Sequence, residues 1–191
     1  MEHLVLNPSV DRKLVARLMF NLIIPRPIAW VTTLSENGKV NVAPFSFYNG
    51  ITSKPPLVMV SIGKRKDGTP KDTGRNIRRT GEFVINLPTE EFLKPMVESG
   101  KDFPPEESEV EVLKLELEPS EVVKVPRIKG VKAALECKVY KIIEIGETPM
   151  DLVIGEIVAF HYEPELLESS KGVVGRLGGK RYLIVDNEIE V

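Results

Sequence analysis

Residues 28–43, Ile28-Ala29-Trp30-Val31-Thr32-Thr33-Leu34-Ser35-Glu36-Asn37-Gly38-Lys39-Val40-Asn41-Val42-Ala43, decide the fold. The first seven are mostly β-branched or aromatic and read as a strand. Asn37-Gly38 is the strongest short hairpin signal, so 40–43 returns antiparallel. Pro25 and Pro27 force an extended entry. Working outward, strands are expected at 57–62 (after the loop Ser53-Lys54-Pro55-Pro56), 83–87, 133–145 and 152–162, the last two an antiparallel pair, with a final strand at 182–185. Helices are expected at 9–20 with Ser9 as cap, at 73–80 closed by Gly81, and at 89–98 with Glu90 and Glu91 in its first turn. An acidic, proline-containing loop spans 101–109, residues 111–125 are less regular up to Pro126, and 163–179 is mixed. Alternating βαβ units are missing, which argues against a doubly wound parallel sheet. The expectation is a mainly β chain with helical additions, an antiparallel β-barrel.

A chain of 191 residues suits one domain, 1–191, with length enough to bury a core. A formal charge of −2 gives no basic field for nucleic acid. No apolar run approaches the roughly 18 residues that span a membrane. Met1-Glu2-His3-Leu4 lacks the basic and apolar regions of a secretory signal, and Cys137 is the single cysteine, so a cytoplasmic setting without an internal disulfide is expected. Glutamine is absent while Glu, Lys, Val and Pro are abundant. That composition fits a thermophile and equally fits lineage drift in codon usage; it bears on habitat, not activity.

Lys71-Asp72-Thr73-Gly74-Arg75-Asn76-Ile77 opens a helix among cations. Thr73 and Asn76, three apart, face the same open end, where unpaired N–H groups and a partial positive charge suit a phosphate. Lys71, Arg75, Arg78 and Arg79 strengthen that reading, and a plain N-cap by Asp72 or Thr73 is the bland one. In Trp30-Val31-Thr32-Thr33, alternation sends the threonines to opposite faces, one to a ligand and the other to solvent or a neighbouring subunit, unless the sheet is simply of mixed polarity. Ala43-Pro44-Phe45-Ser46-Phe47-Tyr48 is stranger. Proline ends normal strand pairing, and small Ser46 between Phe45 and Phe47 lets a flat ring with polar edges, such as an isoalloxazine, approach the backbone. Ser61 on the next strand faces the same space. Ordinary core packing is the alternative for the two phenylalanines. His3, His161 and Cys137 lack metal-type spacing, Cys137 reads as core, and there is no nucleophile elbow or Walker loop. Arg176, Lys180 and Arg181 read as a solvated basic turn that also suits a ligand or partner chain.

These segments, in this order, resemble the flavin reductase-like family of FMN-binding split barrels, which includes flavoredoxins and the reductase partners of two-component monooxygenases. The resemblance runs from about Leu18 to Tyr182 and is strongest over 26–87. Leu152-Val153-Ile154-Gly155-Glu156-Ile157 is similar to the family's strand ending in Gly-Glu-Val, and Arg176-Leu177-Gly178-Gly179 with Tyr182 to its C-terminal pattern. The resemblance implies a homodimer with FMN, less readily FAD, near the interface. It implies Trp30, Thr32, Thr33 and Phe45 at the flavin, Ser46 and Phe47 on its ring, Ser61 near the ribityl chain or phosphate, and Lys71, Thr73 and Asn76 on the phosphate. The chain departs from the family at Met150, where many relatives carry a His, five residues before the glycine; that His is associated with nicotinamide or substrate handling in some members.

A flavin carries the redox chemistry and the protein supplies position and electrostatics, so no catalytic side chain is expected. The implied activity is NAD(P)H:flavin reduction, with NAD(P)H as hydride donor to flavin N5. Two rivals stand beside it: an FMN-containing electron carrier with a redox protein partner, and a binding module for a phosphorylated ligand.

Overall fold

The hairpin forms where the sequence puts it. Ser35 N–H donates to Lys39 O at 2.8 Å, and Gly38 takes φ 75°, the left-handed geometry that the turn demands. The computed structural model describes residues 2–65, 67–101, 103, 108–147 and 149–190. Its elements are α1 (Arg12–Leu22), β1 (Ala29–Leu34), β2 (Val40–Phe45), β3 (Tyr48–Ser53), β4 (Pro56–Gly63), α2 (Asp72–Thr80) and β5 (Glu82–Asn86). Then come α3 (Leu93–Glu98), α4 (Glu109–Val112), β6 (Leu117–Glu118), β7 (Arg127–Ile128), β8 (Ala133–Ile145), β9 (Met150–Tyr162), β10 (Val174–Arg176) and β11 (Tyr182–Ile184).

Seven strands form one antiparallel sheet in the order β2-β1-β5-β8-β9-β4-β3. Its two edge strands, β2 and β3, are consecutive in the chain and separated only by Ser46 and Phe47. The sheet must therefore curl until its edges meet at that corner, and Ser61 N–H on β4 donates to Phe47 O at 2.8 Å to hold it there. The curled sheet encloses Ala29, Val31, Phe45, Val60, Ile62, Phe83, Ile85 and Val153, with Ile77 of α2 among them. Alternation along β1 sends Trp30 to its other face, into a second core with Ile28, Val42, Met96 and Ile128. β1 is thus covered on both sides, which is why Ala29–Thr33 are all buried. Gly155 marks the tightest approach inside: a Cβ there would lie 2.4 Å from Phe83 Cζ.

Some boundaries differ from the sequence reading. Asp11, not Ser9, caps α1, its carboxylate accepting from Lys13 N–H at 2.9 Å. β2 runs on through Pro44 to Phe45, because an edge strand tolerates a residue without an N–H. β3 and β10 lack a clean alternating pattern and are found only through their partners β4 and β11. The expected helix at 89–98 divides into a 3-10 turn, Glu90–Phe92, and α3, which admits Pro95 in its first turn. The centre of the acidic loop, at 102 and 104–107, lies outside the described residues.

Candidate functional site

Two hollows meet along β2. One, of about 890 Å³, is walled by Phe20, Arg26, Phe45, Ser46, Met96, Arg176 and Tyr182. The other, of about 560 Å³, reaches Lys64, Arg65, Asp72, Thr73 and Glu109. They share Pro44, Phe45, Lys71, Gly100 and Lys101, so they form one groove with an aromatic end and a charged end.

At the charged end, α2 begins without a side-chain cap, with Lys71 in the cap position. Among the described residues nothing takes its first N–H groups, so they and its dipole suit an anion. Several nearby cations are already engaged: Arg65 and Arg75 both pair with Asp72, Lys64 lies 2.5 Å from Glu144, and Lys101 pairs with Glu98. Among the described residues Lys71 has no such partner. Thr73 lines the groove, and a polar network holds it from behind. The Asn41 amide lies 3.0 Å from its hydroxyl; with its oxygen turned that way the amide accepts from Thr73 and donates to Glu109 Oε1 at 3.2 Å. Asn76 donates to Thr33 Oγ1 at 3.1 Å, and both are buried. Burial pushes the Glu109 carboxyl above its ordinary pKa, as does nearby Asp72, against backbone hydrogen bonds from Glu109 and Val42. That shift eases its sharing the hollow with an anion.

At the aromatic end Arg26 is the hub. It is buried, and its guanidinium donates to Ser46 Oγ at 3.2 Å, Phe20 O at 2.9 Å, Ile23 O at 2.6 Å and Leu177 O at 3.2 Å. It also sits 5.8 and 5.7 Å from the ring centroids of Phe20 and Phe47, which stack on each other at 5.6 Å. Burial lowers its pKa, yet a guanidinium remains charged, and none of these partners is a carboxylate. Arg176 pairs backbone to backbone with Arg26 and bonds the Tyr182 hydroxyl while lying 4.3 Å from that ring. Among the described residues no group takes the Ser46 or Phe47 backbone N–H. Uncompensated positive charge beside free N–H donors suits a flat ligand with acceptor edges or one that gains electrons.

Of the sequence-derived candidates, Phe45, Ser46, Lys71 and Thr73 wall the groove. Phe47 stands behind Phe20, and Thr33 and Asn76 behind Thr73. Trp30 and Thr32 lie elsewhere: the indole N–H donates to Ser99 Oγ at 2.9 Å and the Thr32 hydroxyl to Pro126 O at 2.8 Å, both fully buried on the outer face of β1. Ser61 serves the corner through its backbone and is not among the groove-lining residues. Arg26 and Asn41 were not singled out from sequence; an arginine set between Pro25 and Pro27 was the available signal. Beside Met150, Asp151 is buried and accepts from Arg78 Nε at 2.9 Å and Nη2 at 2.6 Å.

The sequence pattern of the flavin reductase-like domain matches residues 20–176. An uncharacterized protein of Halalkalibacterium halodurans is 44% identical over 189 residues, covering 93% of this chain and 90% of that one. Among solved structures, nitrilotriacetate monooxygenase component B from Bacillus cereus superposes with a TM-score of 0.90 at 35% identity, covering 100% of both chains. The 2-nitrobenzoate 2-nitroreductase of Pseudomonas fluorescens superposes with a TM-score of 0.86 at 33% identity, covering 99% of this chain and 95% of that one.

Proposed function

The chain belongs to the flavin reductase-like domain family, and from that premise we propose that it binds FMN along the β2 groove and transfers reducing equivalents from NAD(P)H. The observation that carries this reading is the polarity of the groove: a helix N-terminus without a side-chain cap and Lys71, without an ion-pair partner among the described residues, at one end, and Phe45, Ser46 and buried Arg26 at the other. A bound flavin would supply the hydride-accepting chemistry, with NAD(P)H as donor. Lys71, Thr73 and the first N–H groups of α2 hold the phosphate. The Ser46 and Phe47 N–H groups meet the polar edge of the ring, and Arg26 and Arg176 stabilise negative charge that develops on reduction. Chemistry of this kind would ask the chain to orient its ligands rather than to supply a side-chain acid.

FMN and riboflavin titrations test the phosphate end. For Lys71→Ala, FMN affinity should fall by about tenfold or more, as for loss of one charge-assisted hydrogen bond, while riboflavin affinity stays put. Equal losses for both ligands, or a wild-type protein that takes up neither, would overturn the assignment. A second reading, a carrier that keeps FMN bound and exchanges electrons with a protein partner, is favoured by Met150, whose side chain has no hydrogen-bond donor for a nicotinamide. Turnover of NAD(P)H with free FMN as acceptor separates the two, being fast only for a reductase.

A further inference from the structure

A third hollow, of about 650 Å³, lies between α1 and the turn at 178–181 and shares Phe20, Gly179 and Lys180 with the aromatic end of the groove. Lys13, Ala16, Arg17, Phe20 and Asn21 are spaced i, i+3, i+4, i+7 and i+8, so they form one face of α1 turned to this hollow. Lys180 and Arg181 close it from the other side. Its lining holds four cationic side chains and no carboxylate. Arg181 is positioned by Asn21 Oδ1 at 3.0 Å and Gly178 O at 3.2 Å. Among the described residues, the side chains of Lys13, Arg17 and Lys180 have no ion-pair partner. Gly178 admits this packing: a Cβ there would lie 2.0 Å from Asn21 Oδ1.

We propose that this hollow seats the phosphorylated adenosine end of the hydride donor and selects NADPH over NADH. The inference rests on the function proposed above, because the donor's nicotinamide must reach the adjoining groove. A ribose 2′-hydroxyl is recognised by a carboxylate that accepts its hydrogen bond, and a 2′-phosphate by arginine or lysine. A lining of four cations without a carboxylate matches the second ligand and leaves the first without its partner. A 2′-phosphate adds about 1.5–2 negative charges near neutral pH, so it gains far more from these cations than a hydroxyl does.

The test uses 2′,5′-ADP and 5′-AMP, which carry no nicotinamide, together with the full-length Lys13→Ala, Arg17→Ala double variant. Both residues are exposed, so the variant keeps the fold, which circular dichroism verifies. Wild type should bind 2′,5′-ADP at least about tenfold more tightly than 5′-AMP, and the variant should lose that preference. The KM for NADPH should rise by about tenfold in the variant and that for NADH by less than about threefold, with flavin affinity untouched. Flavin uptake with no preference for 2′,5′-ADP, or an equal KM rise for both donors, overturns the hollow and leaves the flavin site standing. A protein that prefers 2′,5′-ADP yet takes up no flavin keeps the phosphate seat and overturns the reductase reading along with the donor role.

Discussion

Glu136 carries charge in a place closed to water. It is fully buried on β8, and its carboxylate accepts from the N–H groups of Glu121, Val122 and Val123 at 2.7, 2.7 and 2.9 Å. His161 Nε2 lies 2.6 Å away and donates, since an ionised carboxylate only accepts. Burial pushes the Glu136 carboxyl up, but the bonds from Glu121, His161, Val123 and Val122 together prevail and hold it at about 2. A folded pKa below the unfolded value of about 4.3 stabilises the fold above that value and ceases to do so as pH falls toward 2. The linkage is worth on the order of 3 kcal/mol at neutral pH. Glu136→Gln should therefore lower the urea midpoint markedly at pH 7 and much less at pH 3, the gap closing between about pH 4.5 and 2. A gap of constant size would show that shape, not charge, holds the 121–123 turn. No local pattern displays this pair, because residues 136 and 161 meet only once β8 and β9 are in register.

Elements that meet at close range impose residue choices that no local pattern displays. β9 passes β5 so closely that Gly155 faces Phe83, and the contact distance excludes any side chain. Gly155→Ala should destabilise the protein by about 1–3 kcal/mol through overpacking. The double variant with Phe83→Leu should recover part of that loss in chemical denaturation; if it recovers none, backbone conformation and not the ring sets the requirement. α2 was legible in outline because its end signals are local: Gly81 at φ 70° closes it, with Arg78 and Arg79 in its last turn. What lay beyond a local reading was the direction in which Asn76 points. It faces Thr33 inside the structure rather than the groove, and Asn41, a plain strand residue by pattern, supports Thr73 instead.

At the scale of the molecule, α1 has no buried residue, and Leu14, Met19, Leu22, Ile23 and Ile24 are exposed beside it. An isolated helix of 11 residues is marginal in water, so this one calls for cover. Leu14, Leu18 and Leu22 form a stripe beside the Lys13–Arg17 face. A second copy of the chain seated on that stripe would account for it, and light scattering should then give twice the 21.4 kDa of one chain. Leu18→Glu should shift the mass toward the monomer; a wild-type mass of one chain would refute the dimer outright.

Local chemistry alone determined that this is an antiparallel β protein with helical additions. Alternation, the Asn-Gly turn and the helix-end residues act over a few positions and leave their mark in any window that contains them. The tertiary structure decided which face each strand residue serves, as Trp30 and Thr32 show by turning into a second core rather than the groove. It also brought Arg26 beside Ser46 and Phe47, and placed α1 against the 178–181 turn. The physical reason is that β-pairing and helix docking join residues remote in sequence, so the partners of a buried charge or a groove wall exist only after the sheet has closed at Ser46 and Phe47.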